Sequence, residues 1–119
     1  MDNLSAIQAL GALAQSTRLD VFRFLAGREP KGASAGEIAR AMTVPHNTMS
    51  SHLAILARAG LVSGHRRSRS IVYRASVARL RDVTLFLIAD CCGGRPEQCA
   101  PLAADVSAVA KIGAREEIA

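Results

Sequence analysis

One stretch of the sequence, residues 34–75, constrains the fold most, because helix and turn signals follow one another closely there. Ser34 and Glu37 have the spacing of a capping box, which predicts the start of a short third helix. Pro45 discourages helix in the residue before it and therefore predicts a turn. A fourth, longer helix is predicted to follow from Pro45 or His46 to Ala59, where the next residue is glycine, a common helix stop.

Two short strands are predicted after this fourth helix. The segments 61–66 and 70–75 are rich in Val, Ile and Tyr, and a basic tip joins them. A short helix, a tight turn, a longer helix and a basic hairpin together form a winged helix-turn-helix. We therefore predict a mainly α-helical fold with a small two-stranded β-hairpin.

Apolar residues at helical spacing extend over most of the remaining chain. A second, central helix is predicted with Ser16 as its N-cap, and a long fifth helix is predicted from Ser76 to Asp90 or Cys91. A first and a last helix each carry an apolar stripe, formed by Leu4, Ile7, Leu10 and Ala14 and by Leu102, Val106 and Val109. We predict one domain over residues 1–119 that forms a homodimer through these two helices.

Composition excludes some classes of protein. The longest apolar stretches are far shorter than the roughly 20 residues that span a bilayer, so we expect no membrane protein. The start of the chain lacks a basic segment before an apolar run, which predicts no signal peptide and a cytoplasmic location. In that compartment the three cysteines are expected to be reduced thiols.

The net charge of +5 is concentrated in one block, since residues 45–75 carry five arginines and no acid. A solvated basic face explains this composition as well as a polyanion partner does. The order of the elements favours double-stranded DNA, because the outer face of the fourth helix is small and polar and can approach base edges. The residues on that face are Asn47, Thr48, Ser50, Ser51 and Arg58. The hairpin residues that can reach phosphates or the minor groove are Arg66, Arg67 and Arg69.

Residues 48–56 and 59–62 resemble the recognition helix and the following strand of the ArsR/SmtB repressors, and residues 13–19 extend the resemblance. It implies a homodimeric winged-helix repressor that a metal or metalloid releases from its operator. It also implies that the major groove is entered by Asn47, Thr48, Ser50 and Ser51. His52 matches a position frequent in the family, and a packed, hydrogen-bonded histidine is at least as good an interpretation as a base contact.

The three cysteines, Cys91, Cys92 and Cys99, lie within nine residues, and Gly93 and Gly94 allow the chain to fold back between them. Zinc generally takes four ligands, and all three histidines lie in the DNA-reading half of the chain. Trivalent arsenic or antimony suits three thiolates better, because a thiophilic centre with a lone pair takes three sulfur ligands in a pyramid. Soft sulfur ligands also select against hard cations. Idle buried thiols and a redox switch are the alternatives.

The family resemblance narrows the type of sensor. The Cys-x-Cys motif that founding arsenic sensors carry on the third helix is absent from residues 37–42. The fifth helix has Asp82 but none of the histidines of the zinc-sensing members. Cysteines after the fifth helix are similar to those of an arsenite-responsive branch, whereas members that sense methylated arsenic tend to use two thiols.

We therefore predict a transcriptional repressor that binds operator DNA as a dimer and is released when As(III), or Sb(III), binds Cys91, Cys92 and Cys99. Arsenite, antimonite and methylated arsenic stay open as inducers. We predict no catalytic residues and no organic cofactor, because the sequence has no Gly-rich cofactor loop and no nucleophile–base motif. The alternatives are a thiol-redox or zinc-responsive repressor, a thiol-dependent arsenic enzyme, and an architectural DNA protein without sequence preference.

Overall fold

The computed structural model describes residues 1–91, 101 and 104–105, and this part of the chain forms five α-helices and one small sheet. The elements in chain order are α1 (Asn3–Leu13), α2 (Ser16–Ala26), β1 (Ala33–Ser34), α3 (Ala35–Met42), α4 (His46–Arg58), β2 (Val62–Arg67), β3 (Ser70–Ala75) and α5 (Val77–Cys91). The chain divides into two compact units, Met1–Thr84 and Leu85–Ala119. The first unit contains every predicted DNA-binding residue, and the single domain over residues 1–119 stays a prediction.

The helix-turn-helix forms where the sequence predicts it. Ser34 Oγ accepts a hydrogen bond from the Glu37 N–H, and the Glu37 carboxylate accepts one from the Ser34 N–H, each at 3.2 Å. These hydrogen bonds hold the pKa of Glu37 below its usual value. Thr43 ends α3 in the left-handed region with a φ of 56°, and the chain then turns through Val44 and Pro45 into α4.

The inner face of α4 is the centre of the hydrophobic core. The residues predicted to face inward are at most 1% exposed, and they are Met49, Leu53 and Leu56. They pack in one cluster with residues of α2, α3 and the loop after α4, among them Val21, Leu25, Ile38 and Leu61. Because this face is fixed by burial, the opposite face of α4 is left in solvent.

The N-cap of α2 differs from the prediction, while the apolar stripe of α1 is exposed, as its predicted role at a dimer interface requires. The core side of α1 is formed by its alanines, Ala6, Ala9 and Ala12, while the predicted apolar stripe stays outside, with Leu4 76% and Ile7 57% exposed. Small side chains allow α1 to approach its neighbours closely. The N-cap of α2 is Gln15 and not Ser16, because the longer Gln15 side chain reaches the Arg18 N–H at 2.8 Å.

The predicted hairpin is confirmed, and a third short strand extends it. Strands β2 and β3 pair antiparallel from Val62 opposite Ala75 to Arg67 opposite Ser70. Strand β1 pairs with the other edge of β3, which gives the sheet order β1-β3-β2. A strand of two residues is too short to show an alternating apolar pattern, so β1 could not be predicted from the sequence.

Helix α5 begins after Ser76, as predicted, since Ser76 Oγ accepts a hydrogen bond from the Arg79 N–H at 3.2 Å. Its last residue is Cys91, within the predicted end. The predicted last stripe, Leu102, Val106 and Val109, lies outside the described residues. Within the residues that the structure describes, no helix is both long enough and apolar enough to cross a bilayer.

We expect Gly32→Ala to destabilise the protein by about 1–3 kcal/mol, because Gly32 has a φ of +71° and an added Cβ would lie 2.5 Å from the Tyr73 carbonyl oxygen. Chemical denaturation followed by circular dichroism measures this change. Gly27→Ala is the matched control, since its backbone is right-handed and its Cβ would meet only ordinary contacts at 3.5 Å and beyond. Equal stability of the two variants would contradict this account of Gly32.

Candidate nucleic-acid interface

The outer face of α4 is exposed along its whole length. The polar residues predicted from the helical wheel are all exposed, namely Asn47, Thr48, Ser50, Ser51 and Arg58, and His46 is exposed as well. Asn47 and Arg58 are eleven residues apart, so they lie about 16 Å from each other along the helix axis. The structure thus brings these residues onto one surface, and their contact with DNA stays a prediction.

Local hydrogen bonds define what the serines of α4 present to a partner. Ser50 Oγ donates to the His46 carbonyl oxygen at 3.1 Å, and Ser51 Oγ donates to the Asn47 carbonyl oxygen at 3.4 Å. With their protons directed to the helix backbone, both hydroxyls offer lone pairs outward. Such acceptors match the exocyclic amino groups of adenine and cytosine in the major groove.

Asn47 has a complementary arrangement at the start of the helix. Its Oδ1 accepts the N–H of Thr48 at 3.0 Å, so its side-chain NH2 remains the donor. Donor and acceptor groups therefore lie within two turns of each other on the exposed face.

His52 lies beside the core and is half-buried. Its Nδ1 is shielded from solvent and has no hydrogen-bond partner within the described part of the chain. The ring is therefore packed, as one of the two interpretations of this residue requires. The hydrogen bond that this interpretation also expected is not formed at Nδ1.

The hairpin, which we call the wing (β2, β3 and their turn), carries three exposed arginines: Arg66, Arg67 and Arg69. Ion pairs among the described residues join Arg28 to Glu37 at 3.5 Å and Arg74 to Glu29 at 2.6 Å. The hydrogen bond to Glu29 raises the pKa of Arg74 and occupies its guanidinium. The three exposed arginines lie outside these pairs and are available to a polyanion.

Two positions that the sequence did not single out shape the wing. Gly64 lies directly opposite Tyr73 in the strand register. A Cβ on Gly64 would lie 2.9 Å from Ile71 Cγ2 and 3.2 Å from Tyr73 Cε1, so the tyrosine ring lies against the bare backbone of β2. An aromatic residue across from a glycine is a known stabilising pair in sheets, but it becomes visible only when the register is known.

The predicted metalloid ligands fall at and beyond the end of α5. Cys91 is the last residue of that helix, whereas Cys92 and Cys99 lie outside the described residues. Within the described ranges, no group of three or more His, Cys, Asp or Glu residues is arranged to hold a metal ion. The three-cysteine site stays a prediction.

Comparisons with known proteins agree with the helix-turn-helix architecture. A family model described as a helix-turn-helix domain matches residues 13–65. No curated protein matches the chain. The structure is similar to an ArsR-like transcriptional regulator from Rhodococcus sp. RHA1, with a TM-score of 0.65 and 24% identity over 92% of each chain.

Two other solved structures are similar. One is the homodimeric winged helix-turn-helix DNA-binding domain of Mb0332 from Mycobacterium bovis, a possible ArsR-family regulator, with 26% identity over 71% of this chain and 77% of that one, and a TM-score of 0.60. The other is reduced HlyU from Vibrio cholerae N16961, with 27% identity over 74% and 90% of the two chains and a TM-score of 0.57. Together the comparisons show a helix-turn-helix domain over residues 13–65 and a winged helix-turn-helix fold similar to that of ArsR-like transcriptional regulators.

Replacing Arg66, Arg67 and Arg69 by alanine should weaken duplex binding and lower the slope of log K against log salt by about 2 to 3 per subunit, since each lost phosphate contact removes about 0.9. Fluorescence anisotropy at several salt concentrations measures the slope. Arg23→Ala, an exposed arginine on α2, is the control that should leave it unchanged. An unchanged slope in the triple variant would exclude the wing from phosphate contact.

Proposed function

We propose that this ArsR-like winged helix-turn-helix regulator is a dimeric repressor that a trivalent metalloid releases from operator DNA. The DNA-reading part of the proposal is carried by one observation: the exposed face of α4 and the adjoining wing form a surface with unpaired arginines and short polar side chains. The metalloid is As(III) or Sb(III), and its ligands are Cys91, Cys92 and Cys99.

Short side chains favour α4 as the element that enters the major groove. Asn, Thr and Ser at the start of the helix let the backbone approach the base edges, and they offer both donors and acceptors. The arginines of the wing supply contacts to phosphates, which position the helix without reading sequence. Specificity thus comes from α4, and a large part of the affinity comes from the wing.

Dimerisation is supported by the surface of α1. Because its alanine side is buried, α1 exposes large apolar side chains, with Leu4 76%, Ile7 57% and Leu10 39% accessible. A single helix-turn-helix binds weakly, and a two-fold dimer sets two recognition helices about 34–36 Å apart to match successive major grooves. The homodimeric state of the similar Mb0332 domain supports the same assembly. The predicted contribution of the last helix concerns residues outside the described ranges.

The double variant Leu4→Glu/Ile7→Glu should be monomeric, because it places two charges in the apolar surface of α1. Its operator affinity should fall by about 100-fold or more, since the two half-sites no longer bind as a linked pair. Light scattering after size exclusion gives the mass, anisotropy gives the affinity, and circular dichroism checks the fold. Leu4→Met/Ile7→Val is the apolar control that stays dimeric. A dimer that persists in the glutamate variant would exclude α1 from the interface.

The donor set supports a metalloid as the effector. Three thiols with no fourth cysteine and no histidine nearby in sequence fit a pyramidal As(III) or Sb(III) centre better than tetrahedral zinc. Two of these thiols lie at the end of α5 and directly after it. Binding there needs to shift the balance between operator-bound and free dimer by only about 1–3 kcal/mol to act as a switch.

Reduced wild-type protein on labelled promoter DNA should be released by arsenite or antimonite but not by zinc. Cys92→Ser should bind the operator as tightly as wild type and stay bound in arsenite, because two thiols remain where three are needed. Gln98→Ser, a substitution in the same segment, should respond like wild type. Normal release of Cys92→Ser by arsenite would exclude the three-thiol site.

A thiol-redox sensor is the second candidate, and the similarity to reduced HlyU favours it. In that reaction two thiols lose two electrons and two protons to form a disulfide, while a peroxide is reduced to water or alcohol. Release by hydrogen peroxide without any response to arsenite under reducing conditions would assign the cysteines to this role. Binding that ignores both reagents would leave a constitutive regulator.

A further inference from the structure

A groove of about 450 Å³ separates the wing from helices α3 and α4, and we call it the wing–helix groove. His46 and Ser50 of α4 line one side, and Arg69, Ile71 and Tyr73 of the wing line the other. None of the residues that line it is acidic. The proposed function uses the two structures on either side of this groove and leaves the groove itself without a role.

Duplex geometry gives the groove an occupant. A helix in the major groove and a hairpin tip in the adjacent minor groove are always separated by one sugar–phosphate strand. If α4 enters the major groove, as proposed above, and the tip of the wing reaches the adjacent minor groove, that strand has to cross the surface between them. On this protein, that surface is the wing–helix groove.

We infer that the wing–helix groove binds one sugar–phosphate strand of the duplex, with His46 and Tyr73 as further phosphate-contacting residues and Ile71 against the deoxyribose. This inference rests on the proposed DNA binding but not on the metalloid response. Neither His46, Ile71 nor Tyr73 belongs to the DNA-contacting set predicted from the sequence.

The helix side of the groove offers donors to a phosphate. His46 is exposed and is the first residue of α4, whose N-cap, Pro45, provides no side-chain hydrogen bond. The first N–H groups of a helix lack partners within the helix. In α4 the N–H of Thr48 is taken by Asn47 Oδ1, while those of His46 and Asn47 and the helix dipole favour an anion. The imidazole of His46 adds a side-chain donor beside them.

The wing side of the groove offers a charged hydrogen-bond donor and an apolar side chain, which suit the phosphate and the sugar of a nucleotide. Arg69 is a charged donor at the turn, and Tyr73 is half-buried with its ring against Gly64, so its position is fixed by packing. Ile71 is 47% exposed, whereas the other exposed residues of the hairpin are polar, basic or glycine. A large apolar side chain next to hydrogen-bond donors for phosphate suits a deoxyribose, because the sugar has an apolar face and lies between two charged phosphates.

The strand register supplies a matched control. His65 pairs with Val72, while the neighbouring positions Gly64 and Arg66 pair with Tyr73 and Ile71. Because successive residues of a strand face opposite sides, His65 lies on the other face of the wing. His46 in the groove and His65 at the control position are thus two histidines of the same compact unit, Met1–Thr84.

We expect His46→Ala and Tyr73→Phe each to weaken duplex binding by about 10-fold, on operator and unrelated DNA alike, because phosphate contacts carry no sequence information. His65→Ala should bind like wild type. Melting curves confirm that each variant is folded. Wild-type affinity in both groove variants would overturn the inference.

A scan of the operator with single methylphosphonates locates the contact. Neutralising the phosphate that lies in the groove should weaken wild type about 10-fold and His46→Ala by clearly less, whereas other positions should affect both proteins equally. Equal losses in the two proteins at every position would overturn the inference. A wild-type protein that binds no duplex would overturn the proposed function as well, and one that binds but ignores arsenite would leave the groove assignment standing.

Discussion

The burial of one face of α4 is the constraint on which the rest of the molecule depends. Met49, Leu53 and Leu56 are essentially inaccessible to solvent, and they lie at the centre of the core. A helix held at three such positions cannot rotate about its axis without exposing a large apolar side chain, which would cost about 1.5–3 kcal/mol each. The polar face of α4 is therefore fixed by what the opposite face buries. The arrangement of donors and acceptors that a duplex would meet is a consequence of packing in the core.

The wing is held relative to α4 by contacts of a different kind. Gly32 lets β1 lie directly against β3, and Gly64 lets the Tyr73 ring cover the backbone of β2. Arg74 ties β3 to Glu29 in the loop after α2 at 2.6 Å. This ion pair is partly exposed, so its energy is modest, but it fixes a position. Two glycines and one ion pair thus help to hold the strands of the wing in place, although none of these residues is placed in contact with DNA.

The sequence predicted the elements that have local causes. Helix α3 has a capping box, Gly60 follows α4 with a φ of +77°, and Ser76 caps α5, so each boundary is encoded within a few residues. Features that depend on partners distant in sequence were missed, among them strand β1 and the Gly64–Tyr73 pair. The outer face of α4 was predicted because helical spacing alone defines it. The groove was not, because it exists only once β3 is placed beside the helix.

The start of α5 connects the two ends of the proposed mechanism. Arg79 Nε donates to the Ala59 carbonyl oxygen at 3.0 Å, directly after α4, and the Ser76 N–H donates to the Leu61 carbonyl oxygen at 2.8 Å, directly before β2. The space beside Gly60 is filled by the Arg79 guanidinium. The beginning of the helix whose last residue is the first cysteine is thus hydrogen-bonded to the segment that joins α4 to the wing. Because this segment is held by Ser76 and Arg79 as well as by its own chain neighbours, the start of α5 helps to fix the wing relative to α4.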